Sequence, residues 1–246
     1  MKKYQFGLVG KDINYSFSKS YFIDKFQKLN LVDFSYENLD FQKIEEFPEY
    51  IEQNRNICGL NVTIPYKEAI IPYLDKLSKI ATEIGAVNTI KISKSGKLKG
   101  FNTDYIGFQK SIKSLLNVNH KKALILGTGG ASKAVAYALK QLEIPYLLVS
   151  RSTNVDAIGY NQVNEKTFEE FHIIINCTPL GTFPNTNSCP EIPYENFTPK
   201  HIAFDLIYNP AETLFLKKAK EQGAVIKNGL EMLTIQAEKS WEIWGI

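Results

Sequence analysis

The apolar positions of this chain recur with two periods, one typical of buried strands and the other of helices. Residues 4–9 form a short apolar run, and residues 20–29 then show apolar positions at helical spacing. The first half continues with strands predicted at 34–39, 59–64, 86–92 and 97–101 and helices predicted at 43–54, 75–84 and 104–116. This mixture of strands and helices indicates an α/β domain.

The second half shows a more regular alternation. Its apolar runs predict strands at 122–126, 146–150, 173–176, 201–206 and 225–227 and helices at 130–141, 213–222 and 231–244. Such an alternation predicts a doubly wound, parallel sheet.

We therefore expect an α/β protein of two domains. Residues 1–103 together with 232–246 form the first predicted domain, and residues 104–231 form the second. The last helix belongs to the first domain in this prediction, because its Trp241 and Trp244 share an apolar face that must pack on another element.

Composition and charge exclude several classes of protein. With 246 residues, 44% of them hydrophobic and 22% charged, the chain can bury a core in each of two domains. The net charge of +3 comes from scattered lysines, so no nucleic-acid partner is expected, whereas anionic small molecules are compatible with it. Three cysteines without a close pair indicate neither a disulfide framework nor a metal site. No apolar run is long enough to span a membrane, and we expect a cytoplasmic protein.

A glycine-rich loop follows the first predicted strand of the second half and opens a helix. The loop consists of Gly127, Thr128, Gly129, Gly130 and Ala131. Small residues here let the backbone approach a pyrophosphate, and the helix N-terminus stabilises its charge. A tight turn without a ligand is the alternative, but the flanking strand and helix favour a nucleotide-binding, Rossmann-type domain.

The end of the next predicted strand indicates which dinucleotide binds. An acidic residue there would hold the ribose hydroxyl of NAD, and an arginine would favour the extra phosphate of NADP. The chain has Ser150, Arg151 and Ser152 at this point. NADP(H) is therefore the predicted cofactor, and the alternative is that Arg151 is a solvated surface charge.

Lys67 and Asp104 each stand in a dense polar segment of the first half. An ammonium and a carboxylate brought together can pass a proton to or from a substrate hydroxyl, and hydride transfer to a carbonyl requires such a proton. The pair thus predicts an oxidoreductase, although a structural salt bridge is the commoner role of an arbitrary Lys and Asp.

Further hydroxyl and amide groups lie in polar breaks beside apolar segments. Ser16 and Ser18 precede a helix, where serine commonly serves as a cap. Together with Thr63, Asn88 and Gln236, they would suit a polyhydroxylated substrate, because buried polar groups need partners.

Three segments carry a resemblance to a known family. Residues 61–67 (NVTIPYK), 84–89 (IGAVNT) and 100–104 (GFNTD) resemble the shikimate dehydrogenase family. The resemblance extends over nearly the whole chain, with further similar segments at 16–18 (SFS), 127–131 (GTGGA), 205–208 (DLIY) and 229–233 (GLEML).

The resemblance implies an NADP-dependent oxidoreductase that reduces 3-dehydroshikimate reversibly to shikimate in chorismate and aromatic amino-acid biosynthesis. Lys67 would then be the acid/base residue, with Asp104 orienting it and sharing the proton. The implied substrate contacts are Ser16, Ser18, Thr63, Asn88, Tyr208 and Gln236. The implied cofactor contacts are the glycine loop, Arg151, Leu206 beside the nicotinamide, and Gly229.

Two alternatives stay open at this point. One is a quinate or shikimate dehydrogenase that uses NAD, and the other is a catalytically silent relative that binds a metabolite. Retention of both Lys67 and Asp104 disfavours the silent relative, because a sensor has no need of a proton relay. The resemblance is compatible with either a monomer or a homodimer.

Overall fold

The computed structural model describes residues 3–13, 16–152 and 156–246 and divides into two compact units. The first unit is Met1–Thr103 together with Ala237–Ile246, and the second is Asp104–Gln236. One passage between the units falls directly before Asp104, and the other falls inside the last helix. No helix in the described part of the chain is long and apolar enough to cross a membrane.

The first unit is built on a six-stranded sheet with the order β2-β1-β3-β5-β6-β4. Its strands are β1 (Tyr4–Gly10), β2 (Phe34–Asp40), β3 (Ile57–Val62), β4 (Lys76–Leu77), β5 (Thr89–Ile92) and β6 (Leu98–Phe101). Its helices are α1 (Phe17–Lys28), α2 (Phe47–Gln53), α3 (Tyr66–Ala69) and α4 (Lys79–Ile84), with 3-10 turns at Ile44–Glu46 and Ile71–Tyr73. The three strands β1, β2 and β3 pair in parallel, whereas β5 is antiparallel to both β3 and β6.

Two helix predictions in this unit were wrong in part. The helix predicted at 43–54 is divided, because Pro48 stands in the first turn of α2 and lacks the N–H that a continuous helix requires. The helix predicted at 75–84 begins only at α4, where Ser78 Oγ accepts a hydrogen bond from Ala81 N at 3.1 Å. Before it, β4 pairs with β6, and Asp75 Oδ2 accepts from Leu98 N at 2.8 Å.

The second unit contains the predicted doubly wound sheet, whose six strands are all parallel in the order β12-β11-β10-β7-β8-β9. The strands are β7 (Ala123–Leu126), β8 (Tyr146–Ser150), β9 (Ala157–Gly159), β10 (Ile173–Asn176), β11 (Ile202–Asp205) and β12 (Val225–Lys227). The helices that begin in this unit are α5 (Asp104–Lys113), α6 (Gly130–Gln141), α7 (Glu165–Glu170), α8 (Leu214–Glu221) and α9 (Leu230–Trp244), with 3-10 turns at Tyr160–Gln162 and Tyr194–Asn196. The strand order reverses between β7 and β10, and such a switch point is where open α/β sheets bind ligands.

The C-terminal part of α9 packs in the first unit, as predicted. Ala237 and Trp244 join an apolar cluster with Phe6, Phe22 and Tyr36. The Trp244 indole donates from Nε1 to Ile90 O at 3.0 Å. A Cβ on Gly59 would lie 2.3 Å from the same Nε1, so only glycine permits this close approach.

Candidate functional site

The glycine loop forms an open cradle at the carboxyl end of β7. Gly127 has a φ of +105°, a conformation that favours glycine. Gly129 is the N-cap of α6, and a Cβ placed on it would meet no atom within 4 Å. The backbone is therefore accessible at the start of α6, where the first N–H groups have no partner within the helix.

This cradle fits the pyrophosphate of a dinucleotide. It lies beside the switch point between β7 and β10 and at the N-terminus of a 12-residue helix. Ser132 occupies the position of the third small residue, and its hydroxyl donates to Gly129 O at 2.6 Å. The hydroxyl thus supports the loop from within the first turn of α6.

Hydroxyl groups and one cation follow at the carboxyl end of β8. Thr128 Oγ1 lies 3.5 Å from Ser150 Oγ, and Ser152 N donates to Ser150 Oγ at 3.3 Å. The Arg151 side chain is exposed. Burial and Cys177 raise the pKa of the Tyr160 phenol to about 12, and the charge of Arg151 opposes this rise. A cation and hydroxyls beside the cradle suit an additional phosphate group.

Leu206 and Gly229 lie at the same edge of the sheet, after β11 and β12. Gly229 N donates to Ile207 O at 3.0 Å, and a Cβ on Gly229 would lie 2.1 Å from Leu206 O. A side chain at position 229 is therefore excluded by the backbone of Leu206. Tyr208 lies two residues after Leu206 and is half-buried.

A buried polar pair that sequence reasoning did not single out as a site holds this edge together. Asp205, the last residue of β11, accepts hydrogen bonds from Thr213 Oγ1 at 2.6 Å, Ile207 N at 3.0 Å and Asn176 Nδ2 at 3.1 Å. Asn176 Oδ1 in turn accepts from Thr178 N at 3.0 Å. Burial raises the pKa of Asp205 to about 6, although these hydrogen bonds oppose the rise. The sequence signal that could have identified this pair is that a polar residue ends each of two apolar strands, Asn176 in β10 and Asp205 in β11.

Lys67 belongs to the first unit and lies in the short helix α3. The prediction that residues 59–64 form a strand leading directly to Lys67 was wrong at its end. β3 stops at Val62, and a turn with Tyr66 N donating to Thr63 O at 2.9 Å leads into α3. Pro65 stands in this turn and has no N–H with which to extend the ladder. Lys67 O accepts from Val87 N at 2.7 Å, so the backbone of Lys67 is tied to the residue before Asn88.

Asn88 fixes the backbone directly before Asp104. Its Nδ2 donates to Thr103 Oγ1 at 2.9 Å, and its Oδ1 accepts from Thr103 N at 2.7 Å. Asn88 is only 2% exposed. Asp104 is the first residue of α5 and of the second unit, and it is 5% exposed. A carboxylate in the first turn of a helix is stabilised by the helix dipole.

The remaining predicted site residues lie at the start of α1, directly after β3 and in α9. Ser16 caps α1, as the alternative interpretation anticipated, because its Oγ accepts from Lys19 N at 3.3 Å. Ser18 is buried in the first turn of α1. Thr63 is half-buried, with its N–H bonded to Val9 O at 2.9 Å, and Gln236 is buried in α9. No group of three metal-ligating side chains occurs among residues 3–13, 16–152 and 156–246.

Comparison with known proteins finds relatives that align over nearly the whole chain. Residues 8–90 match the family described as the shikimate dehydrogenase substrate binding domain. The shikimate dehydrogenase (NADP(+)) of Clostridium botulinum is 39% identical over 98% of this chain and 96% of its own length.

Solved structures with the same architecture include two instructive relatives. Shikimate 5-dehydrogenase from Thermus thermophilus, in complex with NADP(H) and shikimate, is 31% identical with a TM-score of 0.86 and covers 98% of this chain and 93% of its own. Quinate dehydrogenase from Corynebacterium glutamicum, in complex with NAD, is 25% identical with a TM-score of 0.85 and covers 99% and 94%.

Proposed function

The chain belongs to the shikimate dehydrogenase family, and we propose that it catalyses the NADP-dependent, reversible reduction of 3-dehydroshikimate to shikimate in chorismate biosynthesis. The observation that carries this proposal is the pair of hydrogen bonds by which the Asn88 side chain holds Thr103, the residue directly before Asp104. The same chain also has a dinucleotide cradle at Gly127 to Ala131. In this proposal Lys67 and most of the substrate contacts belong to the first unit, whereas Asp104, two further substrate contacts and the NADP(H) contacts belong to the second.

Lys67 is the proposed acid/base residue. In the reductive direction its ammonium gives a proton to the developing alkoxide and stabilises the negative charge, and in the oxidative direction its amine accepts the proton of the substrate hydroxyl. Asp104 orients this group and shares its proton. NADPH, when bound, supplies the hydride.

The other substrate contacts in the proposal are Ser16, Ser18, Thr63, Asn88, Tyr208 and Gln236. The two lone pairs of Asn88 Oδ1 accept from Thr103 N at 2.7 Å and Thr89 Oγ1 at 3.1 Å. Asn88 therefore contacts a substrate hydroxyl as a donor, through Nδ2. This polarity favours a substrate oxygen that accepts a hydrogen bond at that point.

The cofactor contacts in the proposal lie at the carboxyl edge of the second sheet. Gly127 to Ala131 and the start of α6 hold the pyrophosphate, and Gly229 and Leu206 border the nicotinamide. Arg151, with Ser150 and Ser152, holds the phosphate that distinguishes NADP from NAD. The cytoplasmic location and the state of association, monomer or homodimer, stay predictions.

Nicotinamide absorbance tests the proposal directly. The purified protein is offered shikimate or quinate, each with NADP or NAD, and we expect the highest kcat/KM with shikimate and NADP. A preference for quinate and NAD would support the function of the Corynebacterium relative instead. Absence of turnover with all four combinations would indicate a silent, metabolite-binding relative.

A further inference from the structure

A continuous chain of hydrogen bonds runs through the interior of the first unit. We call it the buried polar chain, and its members in order are Tyr36, Asn61, Ser240, Thr89, Asn88 and Thr103. Asn88 is a substrate residue in the proposed function, and Thr103 precedes Asp104. The four side chains that come before Asn88 have no role in the proposal so far.

The first part of the buried polar chain starts at Tyr36 in β2. Tyr36 donates from its hydroxyl to Asn61 Oδ1 at 2.7 Å. Asn61 Nδ2 then donates to Ser240 Oγ at 3.0 Å. Tyr36, Asn61 and Ser240 are all buried, so each bond is made in an environment of low dielectric constant.

The second part runs from Ser240 to Thr103. Ser240 Oγ lies 2.7 Å from Thr89 Oγ1, a distance at which the two hydroxyls form a hydrogen bond, and Ser240 Oγ also accepts from Asn61. Thr89 donates to Asn88 Oδ1 at 3.1 Å, and Asn88 Nδ2 donates to Thr103 Oγ1 at 2.9 Å. The hydrogen bonds of this chain are connected one to the next, and connected bonds in a buried environment polarise one another.

Ser240 is the central link of the buried polar chain. Asn61 and Thr89 are direct partners across β3 and β5, so the sheet already holds their backbones. Ser240 comes from α9 and joins their side chains. What its hydroxyl adds is therefore the orientation of those two side chains and, through them, of Tyr36 and Asn88.

We propose that Tyr36, Asn61, Thr89 and Ser240 are positioning residues that orient Asn88 towards the substrate. The proposal rests on the proposed function, since it concerns a residue assigned there to substrate binding. It also explains why the C-terminal end of α9 is needed in the first unit beyond its apolar packing. Without the Ser240 hydroxyl, Asn61 and Thr89 lose a common partner, and the Thr89 hydroxyl that donates to Asn88 Oδ1 is held less firmly, whereas the hydrogen bonds of Asn88 to Thr103 remain.

A purely structural role makes a different prediction, because buried polar groups require partners in any fold. In that case the loss of one hydroxyl lowers stability but leaves the affinity for substrate unchanged. A matched control is available in Ser111, another fully buried helical serine. Its hydroxyl donates to Phe108 O at 3.0 Å, within α5 of the second unit.

The experiment compares Ser240→Ala with Ser111→Ala in the full chain. For Ser240→Ala we expect the KM for shikimate to rise about tenfold, the equivalent of one lost hydrogen bond, with the Kd of NADP unchanged. For Ser111→Ala we expect both constants to stay as in the wild type. Equal KM values in the two variants, at any level of stability, would overturn the inference.

Thr89 provides a second pair should Ser240→Ala fail to fold. Thr89→Val removes the hydroxyl with little change of shape, whereas Thr89→Ser keeps it. We expect a raised KM for shikimate in Thr89→Val and its recovery in Thr89→Ser, and the same KM in both would contradict the inference. A wild-type protein that does not oxidise shikimate would refute the proposed function and the inference with it. Wild-type turnover with unaffected variants would refute the inference alone.

Discussion

Asn176 donates a hydrogen bond from Nδ2 to Oδ1 of Asp205 across 3.1 Å, and both side chains are fully buried. The pair joins the carboxyl ends of β10 and β11, neighbouring strands of the parallel sheet. Through further hydrogen bonds it holds Thr178 on one side and Thr213 on the other. It therefore sets the geometry of the edge at which Leu206 and the glycine loop lie.

Asp205→Asn is predicted to abolish one component of the pH dependence of stability. A rise of the Asp205 pKa from 3.8 to about 6 makes ionisation of the folded form cost about 3 kcal/mol, since one pKa unit corresponds to about 1.4 kcal/mol. The folded state binds more protons than the unfolded state between these values, so the stabilising contribution is present below pH 3.8 and is lost as pH rises to about 6. Asparagine has the same shape and does not ionise.

Urea unfolding at pH 4, 5, 6 and 7 measures this component. We expect the free energy of unfolding of Asp205→Asn, relative to wild type, to increase between pH 4 and pH 7. If the free energies of unfolding of Asp205→Asn and wild type differ by the same amount at all four pH values, Asp205 does not titrate in this range. Asp205→Ala serves as a contrast, because it leaves Ile207 N and Asn176 Nδ2 without their acceptor and is expected to destabilise at every pH.

The second sheet could be predicted from the sequence because its central strands are short, continuous apolar runs. The segments between these runs have apolar residues at helical spacing. Two-residue β4 was missed, since so few positions carry no period, and β9 was missed although the equally short β12 was predicted between two segments of helical spacing. Ser240 could not be identified either. It lies 179 residues from Asn61 and 151 from Thr89, and only the folded chain brings those three side chains together.

Lys67→Ala is predicted to lower kcat for shikimate oxidation by about a hundredfold to ten thousandfold, the usual contribution of a positioned acid/base group. The Kd of NADP should stay near the wild-type value, because the cradle belongs to the second unit. Lys79→Ala, which removes an exposed lysine at the start of α4, is the control and should retain full activity. Near-normal turnover of Lys67→Ala would exclude Lys67 as the acid/base residue.

Arg151→Ala is predicted to raise the KM for NADP about tenfold to a hundredfold and to leave the KM for NAD nearly unchanged, because a lost charge-assisted hydrogen bond is worth about 1.5–3 kcal/mol. The chain has only one other arginine, Arg55, so Arg55→Ala is a matched control. The KM values for NADP and NAD are obtained from initial rates measured with each cofactor at saturating shikimate. Parallel increases in both KM values would mean that Arg151 does not distinguish the two cofactors.

The three histidines of the chain lie together at the amino ends of strands in the second unit. His120 Nδ1 accepts from Asn117 N at 3.0 Å, and His201 Nδ1 accepts from Thr198 N at 3.0 Å. Each Nε2 lies beside a carbonyl oxygen, that of Lys200 or of Phe168, and therefore carries the proton. Both rings are thus held in the neutral form, because protonation would turn each Nδ1 from an acceptor into a donor that faces a backbone N–H.

We therefore predict that the contribution of His120 and His201 to stability falls as the medium becomes acidic. Burial is the main reason that the pKa values of His120 and His201 lie below 6.5, and the nearby His172, whose ring centre is 5.2 Å from that of His201, contributes in the same direction. The unfolded state binds more protons once pH drops below 6.5, so the contribution of the neutral rings is present above that pH and is lost as pH falls through the folded pKa values. Urea unfolding of wild type and His201→Gln between pH 7.5 and pH 5 measures the effect. The variant should lose less stability over this interval than wild type, and equal losses would show that His201 does not contribute.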